Sequence, residues 1–260
     1  LYEGRMVGAF DSNAKGYVRG TGRRAVWRDL TAPDAALEPQ YYVPAALAQA
    51  RATARRTVFP GDVKLGFMAV TAATNERSMV AALLPALPCG NSVPLLCTPL
   101  GLPGALALVA VLNSWVFDFA LRARLGGQNV NRYLLAELPT PRPTALHAAV
   151  RRLAAALSFA HPRFARSRAA LATLDPSAAL PAPAWPSTPT ARRTARALLD
   201  ALVAHAYGLD RPAFGFILRD TDHPEARLRD PAFCRRLDPR CFFRTDRTRP
   251  PAERHTVLSM

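Results

Sequence analysis

The residues best suited to chemistry in this 260-residue chain fall into three groups. Cys89 and Cys97, then Cys234 and Cys241, form two pairs with seven and six residues between partners. Zinc knuckles use a tighter spacing of about two to four residues. Although His223 and His255 lie near the second pair, the four therefore read as ordinary thiols, with neither a metal nor a disulfide expected. Gly20-Thr21-Gly22 has the spacing with which a glycine turn lets backbone approach a cofactor, but no strand, turn and helix pattern surrounds it. The third group is cationic or amide: Arg23, Arg24 and Arg28, Lys64, Asn75 and Arg77, Arg122 and Arg124, Asn129 and Asn131. Cations bind phosphate, and Arg and Asn also bond in pairs to base edges, which is how sequence is read.

The overall charge suits that chemistry. Lys and Arg total 34 against 19 Asp and Glu, a net +15. Lys15 and Lys64 are the only lysines, so codon bias accounts for the choice of cation, but not for the shortage of acids. The expected partner is a polyanion, double-stranded DNA foremost. A chain that is 50% hydrophobic can build a core, which excludes a wholly disordered chain. The apolar run 93–121 is broken by Pro94, Pro99 and Pro103 and then by Asn113, Ser114 and Asp118, so it reads as a buried helix and no membrane partner is expected. The start at Leu1 has no basic segment leading an apolar one, so the chain reads as a cytoplasmic fragment without a signal peptide.

Residues 1–56 alternate short apolar pieces with Gly, Asp, Asn and Pro, the pattern of short strands and loops. Lys64 to Thr71 has strand character, Thr74-Asn75-Glu76-Arg77 a turn, and Leu83-Leu84-Pro85 another short element. Residues 104–125, apolar almost all round, predict one buried helix stopped by Gly126-Gly127. Leu146, Val150, Leu153 and Leu157 make a helical stripe with Arg151 and Arg152 on other faces. After a proline-rich connector, Thr188 and Pro189 predict an N-cap and first helical residue. The helix they open carries a face of Ala195, Leu198, Leu199, Leu202, Val203 and Ala206, and ends at Gly208. Arg192, Arg193 and Arg196 then sit at the positive end of that helix dipole, which costs up to about 1 kcal/mol each unless carboxylates or a phosphate compensate. Residues 220–260 predict a loosely held tail, or one docked on a part outside this chain.

Several segments, taken in order, resemble one family. Leu1-Tyr2-Glu3-Gly4-Arg5-Met6-Val7 with Phe10-Asp11 is followed by Tyr41-Tyr42-Val43 and Thr74-Asn75-Glu76-Arg77-Ser78-Met79. Then come Leu112-Asn113-Ser114 with Phe117-Asp118, Gly126-Gly127-Gln128-Asn129-Val130-Asn131, and Leu138-Pro139. Leu198-Leu199-Asp200-Ala201-Leu202-Val203-Ala204, Tyr207-Gly208-Leu209 and Phe216-Ile217-Leu218 close the series. The set is similar to the target-recognition and C-terminal region of type IIG-like and phage-defence adenine-specific DNA methyltransferases of restriction–modification systems.

The resemblance implies an α+β fold: a mixed strand-and-loop DNA target-recognition domain over 1–143, followed by helical C-terminal segments. The latter divide into a helical spacer or packing arm at 144–175, a Pro-rich connector at 176–189, an amphipathic helix and following element at 190–218, and an Arg/Pro-rich tail at 219–260. The family's catalytic Asn/Asp-Pro-Pro-aromatic segment, which holds the flipped adenine, is absent: Pro250-Pro251 is flanked by Arg249 and Ala252. Hence no cofactor or catalytic residue is expected here. S-adenosylmethionine belongs to a catalytic methyltransferase domain elsewhere in the parent or in a partner chain, and the alternative is a separate non-enzymatic specificity subunit. DNA contacts are expected from Arg23, Arg24, Lys64, Asn75, Arg77, Arg122, Arg124, Asn129 and Asn131. Three alternatives remain: a Glu76–Arg77 local ion pair, turn roles for the two asparagines after Gly126-Gly127, and only one of Arg122 and Arg124 facing outward.

Overall fold

The first sheet of the computed structural model is a two-stranded ribbon, β1 (Lys15–Arg19) and β2 (Val26–Asp29), paired antiparallel. Gly20 and Gly22 turn the ribbon back with φ of +87° and +56°, a region that glycine enters without strain. The expected Gly-x-Gly segment is thus a hairpin tip. Residues 1–31, 35–52, 57–72, 75–181, 185–218 and 249–260 are described.

In the second sheet β3 (Val63–Phe67) lies between β4 (Ala81–Pro85) and β5 (Leu95–Leu96), antiparallel to both. Alternation sorts its two faces. Val63, Leu65, Phe67, Ala81 and Leu83 join the main core, whereas Ala82 and Leu84 pack with Tyr2, Met6 and Val7 of the N-terminal segment. Covered on both sides, β3 reads as a continuous buried run, as sheets under two layers do.

The single helix predicted over 104–125 is two: α2 (Gly101–Leu112) and α3 (Trp115–Arg124), bent by 64° at Asn113-Ser114. Both breaking residues are put to use. The Asn113 side chain bonds Ala81 N–H and Ala81 C=O, and Ser114 Oγ accepts from Phe117 N–H as the N-cap of α3. Among the described residues no single helix is long and apolar enough to cross a membrane.

The segment 1–56 also contains α1 (Ala45–Ala52), where only strands and loops were expected. Its run of alanines has the highest helix propensity of any residue type, and that outweighs the turn-rich surroundings. The remaining α-helices among the described residues are α4 (Arg132–Ala136), α5 (Ala148–Ser158), α6 (Ala165–Leu174), α7 (Pro189–Ala206), α8 (Arg211–Leu218) and α9 (His255–Ser259). α7 begins as predicted: Thr188 Oγ1 accepts from Ala191 N–H at 3.1 Å, and Gly208 follows its end with φ +76°.

One core cluster runs from Phe10 and Leu65 through Leu106 and Leu121 to Val150, Leu171 and Val203. Residue 143 therefore marks a change of local structure while the core continues across it, and α5 packs on both α2 and α7. Of the predicted loose tail, 219–248 lies outside the described residues. The end of the chain is not loose, because α9 docks against α7 with His255, Thr256 and Ser259 buried.

Candidate nucleic-acid interface

Two carboxylates organise the interior around the expected recognition residues. Asp118 on α3 accepts from Ser78 N–H and Met79 N–H, both at 2.7 Å, and from Arg122 Nε at 2.6 Å. Arg122 Nη2 in turn donates to the carbonyls of Asn75 and Glu76. This pair therefore clamps 75–79, the lead-in to β4, onto α3. Asp200 on α7 accepts from Trp115 N–H at 2.8 Å, His255 Nε2 at 2.7 Å and Arg77 Nη2 at 3.1 Å. The Arg77 guanidinium sits over the Trp115 ring, its Cζ 3.1 Å from the centroid. Burial alone would raise the Asp200 carboxyl, but Arg77, His255 and the Trp115 N–H hold it below the usual carboxylate range.

These contacts correct three sequence expectations. Arg122 is buried and fully engaged with Asp118 and two carbonyls, so it holds the fold and does not face a groove. Lys64 is buried too, because β3 is covered on both faces, and its Nζ donates to Leu87 C=O. Arg77 is paired with Asp200, 123 residues further along, and not with its neighbour Glu76. The expected split at the end of α3 is observed: Arg122 faces inward and Arg124 is exposed, paired with Glu137.

The remaining candidates are at the surface. Arg23 and Arg24 are exposed at the tip of the β1–β2 ribbon in a short 3-10 turn. Arg28, on β2, pairs with Glu38. Asn75, Asn129 and Asn131 are exposed and gathered round residues 69–71. Asn75 Nδ2 reaches Thr71 Oγ1 at 3.4 Å, Thr71 N–H bonds Gln128 C=O, and Val70 bridges Asn129. Asn131 occupies the N-cap position of α4 but makes no side-chain cap bond, its Nδ2 lying 3.5 Å from Tyr133 OH.

Between ribbon and helices lies a cleft of about 760 Å³. Lys15, Val26 and Trp27 of the ribbon, Asn75, Glu76 and Arg77 before β4, and Arg196 and Leu199 of α7 line it. The arginines at the start of α7 find compensation that the sequence did not suggest. Arg192 donates to Leu157 C=O in the last turn of α5, where helical carbonyls lack intrahelical partners and carry partial negative charge. Arg193 bonds Thr190 Oγ1, and Arg196 donates to Ala9 C=O. Burial, with Arg77 and Arg192 nearby, lowers the Arg196 guanidinium from its usual range.

Asp200, Asp118 and Arg196 were overlooked as organising residues, although two carried a local signal. Asp200 sits beside Leu199 on the otherwise apolar stripe of α7, and Asp118 with Arg122 is a charged i,i+4 pair inside an apolar helix. A charge on a buried face needs a partner, and that need was readable. Cys89 is a free thiol. Cys234, Cys241 and His223 lie outside the described residues, and His255 bonds Asp200.

Comparison of the chain with models of protein families, with curated proteins and with solved structures finds no match.

Proposed function

We propose that this chain reads duplex DNA as the recognition portion of an adenine-specific (N6) DNA methyltransferase of a restriction–modification or phage-defence system. The observation that carries the reading is the projecting ribbon, with Arg23 and Arg24 exposed at its tip. A two-stranded ribbon fits the major groove, and guanidinium groups at its tip meet phosphates or guanine edges there. Asn75, Asn129 and Asn131, each exposed, supply amide donors and acceptors, and the net +15 supplies general attraction. The ordered sequence segments supply the methyltransferase part of the reading. On it, methyl transfer from S-adenosylmethionine belongs to a catalytic domain that this chain joins or meets, in the cytoplasm, and the chain alone is inactive.

The test is a titration of the purified chain with a randomised duplex library and with single duplexes at several salt concentrations. Each phosphate contact contributes about −0.9 to the slope of log affinity against log salt. Arg23→Ala/Arg24→Ala should reduce that slope by up to about two such contacts and leave the melting temperature unchanged. Binding that is flat with salt, or indifferent to both arginines, overturns the reading.

A further inference from the structure

Arg196 is unlike the other interior cations of this protein. Arg122 and Arg77 each have a carboxylate, Asp118 and Asp200, and Asp200 is already shared with His255. Arg196 donates to the Ala9 carbonyl and forms no direct ion pair among the described residues; Arg77 and Arg192 nearby disfavour its charge, and Glu76 and Asp200 favour it. It keeps part of its side chain open to the cleft it lines. Arg5, Lys15 and Glu76 line the cleft as well, Lys15 paired with Asp29. The same cleft is also lined by the apolar Met68 and Val80 and by Trp27, whose ring meets Tyr17 edge to face. An inorganic anion would leave most of a cleft of about 760 Å³ unfilled.

We propose that this cleft binds a nucleoside phosphate, with the phosphate on Arg196 and the base against Trp27, Met68 and Val80. A guanidinium presents a planar fork that matches phosphate oxygens, and an aromatic ring beside it stacks a base of any identity. The ligand is either a free nucleotide or a nucleotide of bound DNA turned into the cleft, since both present the same phosphate and base.

Calorimetric titration of the intact chain with AMP, with inorganic phosphate and with duplex DNA separates the two sources. For a free nucleotide, AMP binds, phosphate alone binds at least about tenfold more weakly, and Arg196→Gln weakens AMP about tenfold, the scale of a lost bond to a charged group. For a nucleotide of DNA, AMP does not bind and Arg196→Gln instead weakens duplex DNA about tenfold. The wild-type melting temperature supplies a readout that needs no variant, because AMP that binds only the folded chain must raise it. Gln keeps a donor for Ala9, and Arg196→Lys, which keeps the charge, should retain weakened binding should the Gln variant unfold. AMP binding that ignores both substitutions, or loss of neither ligand, overturns the proposal. The AMP arm contains no DNA, so it stands or falls apart from the recognition reading.

Discussion

The carboxylate of Asp200 stands 2.8 Å from the backbone N–H of Trp115, the first residue of α3, although 85 residues separate the two. The first N–H groups of a helix have no intrahelical acceptor, and their end of the helix is positive. Asp200 thus adds a second acceptor to the cap that Ser114 supplies. It also fixes Arg77 from the strand lead-in and His255 from the chain's end on the same helix terminus. One carboxylate ties together four segments of the chain.

That geometry makes Arg77 a residue of stability. Removing either member of a buried charged pair strands the other and costs about 3–5 kcal/mol. Arg77→Ala and Asp200→Ala should each lower the denaturation midpoint by a comparable amount, and the double variant should cost much less than their sum. Urea denaturation checks it, and additive losses would show that the two do not act as a pair.

Acid should destabilise the fold through two carboxylates. Asp200 and Asp175, the latter bonded by Arg151 and Ser177 against the opposing effect of burial, are both held below the usual carboxylate range. A depressed folded value contributes stability that is complete above the unfolded value, about 3.9 for Asp. It is lost as pH falls through the folded value. Asp175→Asn should therefore flatten the decline in stability from pH 5 downward. Equal slopes for wild type and variant would remove Asp175 from the account.

Arg122 and Arg124 are two residues apart on α3 and should behave oppositely. Arg122→Ala uncovers Asp118 and two carbonyls in the interior and should cost about 3–5 kcal/mol. Arg124 forms an exposed pair with Glu137, and such pairs contribute about 0–1 kcal/mol. Melting curves of the two variants distinguish them, and similar losses would contradict the inward and outward assignment.

The start of α7 offers a local test. Thr188→Ala removes the acceptor for Ala191 N–H and should cost about 1 kcal/mol, with Thr188→Ser restoring most of it. A Ser variant as unstable as the Ala variant would assign the loss to packing of the methyl group.

Local rules account for what the sequence determined by itself. The N-cap of α7 depends on Thr188 and Pro189 being adjacent, and its helical period was legible, but the buried face is Ala197, Leu199, Asp200, Val203 and Ala204, which leaves the predicted Leu198 exposed. The α+β class was implied by the resemblance of ordered segments rather than by any one local pattern, and helices with antiparallel sheets are what the fold contains. The bend between α2 and α3 was half legible: Asn113 and Ser114 were visible as interruptions, yet only Ala81, 32 residues away, gives the Asn113 side chain its partners. The role of Arg122 was half legible in its i,i+4 spacing from Asp118, whereas those of Arg77 and Lys64 were not legible. An arginine after a strand has the same local sequence whether it points at a base or at a buried acid. The choice is made by which carboxylate the fold brings within reach, and spacing along the chain does not encode a contact 123 residues away. Tertiary structure decided it, because a buried charge is tolerated only where an opposite charge or a ring of hydrogen-bonding groups replaces water.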